Sequence, residues 1–340
     1  MREPSPAFTE SHRAAGHWRQ LYPFESHFLE LPNASSDKNS PPSASRSSLQ
    51  LHYVDHGSMA TTVGSGPQGT CLFVHGNPTW SFYWRNLILG LQDQYRCVAV
   101  DHLGCGLSDK PQTYPYNLRQ HTANLVALID HLDLRNVALV AHDWGGAIGL
   151  GAVVARRERF SSLVLLNTGA FPPPYVPFRI QACRIPVLGT VAIRGFNAFA
   201  GAALTMATER PKGLEPLVKA GLIAPYRDWA TRVAVDAFVK DIPWRSSHPT
   251  FAVLESLEKS LATLATLPIQ LIWGMKDWCF TPQCLERFRQ HFPQARVLEL
   301  AQAGHYVVED QPAEVLQEIR QFLMTRGGSD AQQPDHQSQV

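Results

Sequence analysis

Residues 139–149 read LVAHDWGGAIG. An apolar run meets a cluster of small residues, and one carboxylate, Asp143, stands at the junction. Small neighbours let a strand fold back sharply into a helix, and such a turn exposes the side chain at its apex. The usual pattern at such an elbow is G-x-S-x-G. Here Asp143 takes the place of the serine and Ala141 that of the first glycine. Read alone, Asp143 is also a plain helix N-cap, a position that favours aspartate.

The flanking sequence sets this elbow in an α/β pattern. HFLEL (27–31) and LQLHYVD (49–55) read as strands joined by the polar segment NASSDKNSPPSASRSS, which has no means of building a core. CLFVH (71–75), RCVAVD (96–101), NVALVAH (136–142) and SSLVLLN (161–167) are short apolar strands. WSFYWRNLILGLQ (80–92) and NLRQHTANLVALIDHLDL (117–134) have helical period, and a further helix starts near Gly145. Regular alternation predicts a mostly parallel sheet covered by helices on both faces.

The alternation breaks at FPPPYVPF (171–178), where four prolines in eight residues end any helix or central strand. It resumes at IQLIW (269–273), followed by ARVLELA (295–301) and the helix PAEVLQEIRQFLMTR (312–326). The expected organisation is an N-terminal extension (1–26), a core (27–171 and 251–326), an inserted helical cap (172–250) and a disordered tail (327–340).

Charged residues are 17% of the chain, the net charge is +1, and no basic run stands out. That argues against nucleic acid, which demands clustered Lys and Arg. The six cysteines are scattered with no C-x-x-C or Cys/His metal spacing. With no apolar leader at the N-terminus, this suits free thiols in a reducing, cytoplasmic setting and no metal. The apolar stretch 185–207 carries Arg194 and two interior glycines. It reads as a buried or amphipathic lid segment, with a membrane-facing surface as the alternative; the same stretch leaves room for self-association through the cap.

Two more segments bear on Asp143. GMKDWCF puts Asp277 just after a strand, and AQAGHYVVEDQP puts His305 in the loop after the next. The order Asp143, Asp277, His305 is the nucleophile, acid, histidine order of α/β-hydrolases. HGNP (75–78) follows another strand end. There the Asn77 amide, with that of Trp144, supplies two donors for an oxyanion. DHLGCGLSDKP (101–111) has neither a phosphate-loop nor a dinucleotide pattern and reads as scaffold.

HGNPTWSFYWRNLI, DHLGCGLSDKP, VAHDWGGAIG, GMKDW and the GHYVVED loop together resemble the haloalkane dehalogenase family of α/β-hydrolases. The resemblance spans 49–170 and 268–325 and is loose in the cap. It implies the α/β-hydrolase fold, no cofactor, a small halogenated hydrocarbon and water as substrates, and halide as a product. In it Asp143 is the nucleophile, His305 the base, Asp277 the acid, and Asn77 with Trp144 the halide pair. Some family members place a glutamate acid where this chain has Asn167, so the acid here is expected to be Asp277 rather than Asp101 or Asp109. A carboxylate suits carbon–halogen chemistry because it leaves an ester that water can cleave, where a serine would leave an ether. Two alternatives stay open. One is an epoxide hydrolase with the same three residues and a proton from Tyr175 or Tyr226. The other is a catalytically weak binding or self-assembling protein on the same fold.

Overall fold

The computed structural model describes residues 16–32, 48–57 and 68–327. Residues 33–47 of the Ser/Pro-rich segment and 328–340 of the C-terminal tail lie outside the described residues. Strands β1 (His27–Pro32), β2 (Ser48–Gly57), β3 (Thr70–Val74), β4 (Arg96–Val100), β5 (Val137–Asp143), β6 (Phe160–Thr168), β7 (Ile269–Gly274) and β8 (Arg296–Leu300) form one sheet. Its order is β1-β2-β4-β3-β5-β6-β7-β8. The first two pairings, β1 with β2 and β2 with β4, are antiparallel, and the rest are parallel.

Every residue of β3, β5 and β7 is buried, which is why these strands read as unbroken apolar runs. Alternate residues serve opposite faces. Leu72, Val74, Leu139 and Ala141 join one cluster, with α2 (Leu118–His131), α3 (Trp144–Ala155), α9 (Pro249–Leu261) and α10 (Pro282–His291). Cys71, Phe73, Ala138 and Val140 join the other, with α1 (Arg85–Leu91) and α12 (Pro312–Gly327). The segment ahead of β1 is part of that second cluster: Trp18 and Tyr22 pack on Trp80 with ring centroids 5.5 and 5.1 Å away. The helix expected over 80–92 begins instead as a 3-10 turn, Ser81–Trp84, and becomes α1 only at Arg85. The Ser81 amide donates to Asp101 Oδ1 (2.7 Å), tying the entry of that turn to the end of β4.

Between β6 and β7 the chain forms α4 (Phe178–Ala182), α5 (Leu188–Thr190), a π turn (Val191–Gly195), α6 (Ala198–Met206), α7 (Pro216–Ile223), α8 (Val233–Asp241) and α9. Val176, Ile180, Ile193, Tyr226, Val235 and Val239 make a small core of their own. Helix α9 instead buries Leu254, Leu257 and Leu261 in the sheet's cluster. The stretch 185–207 is broken into short pieces, and among the described residues no helix is long and apolar enough to cross a membrane.

Strand β4 lies on one side of β3 and β5 on the other, so the sheet order reverses beside β3. Crevices at such reversals, outside the carboxyl ends of the strands, are where ligands bind in open α/β sheets. One buried ion pair fastens the second layer there. Arg85 on α1 donates twice to Glu309 on α11 (Val307–Asp310), at 2.5 and 2.9 Å, and both side chains are 3% exposed. Removing one partner leaves an uncompensated charge, at a cost of about 3–5 kcal/mol. Arg85→Met should lower the free energy of urea unfolding by that amount, and Arg85→Met with Glu309→Leu should recover most of it. A loss below ~1 kcal/mol for the single variant would show that the pair does not hold this layer.

Candidate active site

Asp143 is the last residue of β5 and the N-cap of α3, with φ 54° and ψ −130°. Few non-glycine residues adopt positive φ, and the strain is about 1–3 kcal/mol. The surroundings enforce it. A Cβ on Gly145 would sit 2.0 Å from the Val74 carbonyl oxygen, and one on Gly146 1.8 Å from Thr168 Oγ1. The Thr168 hydroxyl donates to the Asp143 carbonyl from the end of β6. The side chain itself does not cap α3 in the ordinary way. It is turned into the crevice, 9% exposed.

Two backbone N–H groups meet its carboxylate. The Asn77 amide donates to Oδ1 at 2.7 Å, and the Trp144 amide also hydrogen-bonds it. Gly76 makes room for this approach, because a Cβ there would lie 1.9 Å from Oδ1. Burial pushes the Asp143 carboxyl above its ordinary pKa, while His305 and the two amides pull the other way. The other oxygen, Oδ2, faces His305 Nε2 at 3.7 Å, beyond direct hydrogen-bond reach.

His305 Nδ1 is 2.8 Å from Asp277 Oδ2, and the Asp277 side chain is fully buried. Burial acts to lower the His305 pKa. The charge and hydrogen bond of Asp277, with the charge of Asp143, outweigh it and raise the value above the ordinary imidazole range. The ring stacks on Phe280 (5.8 Å between centroids, 17°), and its backbone oxygen accepts from His142 Nε2 at 2.8 Å. Asp143, His305 and Asp277 thus come from the ends of β5, β8 and β7 and meet in the predicted order.

Asn167 has a role that its sequence position alone did not reveal. It stands at the end of β6 with φ 28°, donates through Nδ2 to Asp277 Oδ2 (3.0 Å) and Gly274 O (3.1 Å), and accepts from the Gly274 amide (2.7 Å). The Cys279 amide holds the second oxygen of Asp277 at 2.7 Å. Its place at a strand end facing β7 is the signal that the sequence carries for this role. Asp101 is a fold residue. Its carboxylate takes His52 Nδ1 at 2.8 Å and the amides of Ser81 and Leu107. Asp109 accepts from the Gln50 amide and ties its loop to β2.

The pocket over Asp143 is apolar. Trp144, Phe171, Val176, Ile180, Leu254 and Phe280 are among its lining. Trp144 is therefore beside Asp143, with its ring 5.7 Å from that of Phe238. Asn77 is placed differently. Its side-chain amide donates to the Val235 carbonyl of α8 (3.2 Å), its Oδ1 is buried with no hydrogen-bond partner among the described residues, and it is absent from the pocket wall. The two lid tyrosines also separate. Tyr175 lines this pocket, whereas Tyr226 is buried and lines another cleft of about 1010 Å³. Among the described residues no cluster of His, Cys, Asp or Glu is arranged to hold a metal.

Comparison with known proteins agrees with this architecture. The alpha/beta hydrolase family matches residues 71–318. The chain is 38% identical to cis-3-alkyl-4-alkyloxetan-2-one decarboxylase of Shewanella oneidensis over 309 residues, 89% of each chain. It is 33% identical to haloalkane dehalogenase 2 of Mycobacterium tuberculosis over 301 residues, 86% of this chain and 93% of that one. Among solved structures, the haloalkane dehalogenase DatA of Agrobacterium tumefaciens C58 superposes with a TM-score of 0.73 at 25% identity, over 93% of this chain and 99% of the other. The chain belongs to the alpha/beta hydrolase family.

Proposed function

We propose that the chain displaces a leaving group from a saturated alkyl carbon by attack of Asp143, forming an aspartyl–alkyl ester. The observation that carries this reading is a carboxylate at the apex of the elbow, facing an apolar pocket, with Oδ1 held by the Asn77 amide and the Trp144 amide also meeting the group. The held oxygen, Oδ1, becomes the ester carbonyl, and the free Oδ2 attacks. The same amides then lie where an oxyanion develops if water later adds to that carbonyl.

Two leaving groups suit the step. The one we favour is the ring carboxylate of a dialkyl-substituted oxetan-2-one, the substrate named for relatives 38% and 36% identical to this chain. Attack at the alkyl carbon breaks the ring C–O bond and frees a carboxylate. The C–CO2 bond then breaks, its electron pair forms the C=C bond, and the Asp143 carboxylate leaves. Carbon dioxide and an alkene result, with no water or net proton consumed. Ring strain drives the departure, so the Trp144 indole beside the pocket suffices as a side-chain donor. Asn77, whose amide is held by Val235, is then not required in a pair.

The second reading is haloalkane dehalogenation, with halide held by Trp144 and by an Asn77 that lets go of Val235. The facing of His305 toward Asp143 favours it, because ester hydrolysis needs a base to activate water. His305 would take the proton of that water, and Asp277 would stabilise the resulting cation. The products are alcohol, halide and a proton. The epoxide alternative keeps one of its two candidate donors, Tyr175, at this pocket, with its hydroxyl turned to the Trp278 carbonyl (3.4 Å), while Tyr226 lines another cleft.

Purified protein should convert a cis-3,4-dialkyl-oxetan-2-one to equal amounts of carbon dioxide and alkene, without taking oxygen from labelled water. Asp143→Asn should lower this at least a thousandfold, a barrier increase of about 4 kcal/mol. If only bromoalkanes react, with the label entering the Asp143 carboxylate in the first turnover and the alcohol in later ones, dehalogenation stands instead. Undiminished turnover by Asp143→Asn contradicts both.

The pH profile separates the two routes. Hydrolysis requires neutral His305, so halide turnover should fall as pH drops through the raised His305 pKa, above the ordinary ~6.5. Asp277→Asn removes the main raising charge and should move that limb to lower pH while slowing the reaction. The decarboxylating route needs no base and should lack this limb; the opposite assignment of the limb would overturn this division.

A further inference from the structure

We propose that the cap face formed by residues 175–196 seats this protein on the surface of an anionic phospholipid bilayer, beside the mouth of the Asp143 pocket. Soluble chains rarely expose contiguous large apolar patches, and those that do use them. Here Phe178 is 82% exposed, Val187 73%, Leu188 68% and Phe196 80%, with Ile185 and Val191 beside them. The segment doubles back on itself. Gly189 is packed so tightly on the Cys183 carbonyl that a Cβ would lie 2.0 Å from its oxygen, which brings 178–183 against 187–191. Val191 and Trp229 in turn are the neighbours of Gly195.

Charge selects the occupant. No Asp or Glu occurs between Glu158 and Glu209, whereas Arg179 is exposed and Arg194 half-buried on this face; Arg184 is half-buried, donates to the Val239 and Ile242 carbonyls and lies near Asp241. Trp229 and Trp244 flank it, about half exposed. Arg194 lies over the first at 4.7 Å, and Arg184 over the second at 5.4 Å. Asp228, beside Trp229, is engaged in accepting the Thr231 amide. Apolar tips, tryptophans at the margin and arginines with no acid in their own segment are what an anionic headgroup surface accommodates.

The patch is continuous with the pocket, since Tyr175, Val176, Pro177 and Ile180 line it from the same segment. A substrate carrying alkyl chains partitions into the bilayer and would enter there; that clause, unlike the binding itself, rests on the proposed function.

The test is cosedimentation of the full chain with phosphatidylcholine vesicles, with and without phosphatidylglycerol. Binding should require phosphatidylglycerol and weaken as salt rises. Val187→Asp with Leu188→Asp, and separately Phe196→Asp, should each weaken it about tenfold or more. These side chains are exposed and outside the pocket wall, so circular dichroism and turnover of a water-soluble substrate should match the parent. Absence of binding, equal binding with or without phosphatidylglycerol, or equal binding by the variants overturns the proposal. So does light scattering that shows a dimer dissolved by the same substitutions in place of any vesicle binding.

Discussion

The site depends on one backbone constraint, the positive φ of Asp143 at the junction of β5 and α3. That conformation turns the carboxylate away from the helix it would otherwise cap and toward the crevice beside β3. It persists because the neighbours leave no other room. Val74, Thr168 and Asp143 itself press on Gly145, Gly146 and Gly76 at distances no side chain would tolerate. The strain of about 1–3 kcal/mol is offset by packing across the fully buried centre of the sheet. The same turn brings the Trp144 amide to the carboxylate, so one local geometry both aims Asp143 into the crevice and supplies one of the two amides that meet it.

Electrostatics then decides what a buried carboxylate can do. Burial alone would favour a protonated, inert acid; the amides of Asn77 and Trp144 and the facing His305 oppose that. His305 is in turn set by Asp277, and Asp277 by Asn167 and the Cys279 amide. The chain of contacts runs across β5, β8, β7 and β6. Asn167 thus fixes the carboxylate that β7 supplies.

The sheet and the three central residues were legible because their signals are local. Buried parallel strands are short apolar runs, and an elbow needs small residues at fixed spacing. Asp277 and His305 could be placed because each follows a strand directly. What stayed hidden depends on the cap. The halide role of Asn77 is what the family resemblance implies, and the sequence carries no sign of what its side chain touches. Only the fold shows the Val235 carbonyl of α8 taking its amide, a contact 158 residues away in sequence. Tyr175 and Tyr226 looked equivalent as lid tyrosines, yet one lines the pocket and the other a separate cleft. The 3-10 start at Ser81 was equally out of reach, since its amide is held by Asp101 from a different strand.

The stretch 185–207 shows a related limit. Its apolar composition is plain, but composition does not say which side chains face inward. Folding divides it into a buried Ile193 and Ala200 and an outward row of Val187, Leu188 and Phe196. The cap thus shapes the pocket on one side and the protein's outer surface on the other, while the reacting group remains in the core.

Peptide mass mapping of His305→Gln after reaction with a bromoalkane examines the nucleophile most directly, because loss of the base should trap the ester. The account predicts one alkyl group per chain, on the fragment containing Asp143 and located at that residue. No adduct at Asp143, in a variant whose parent releases bromide, would contradict it.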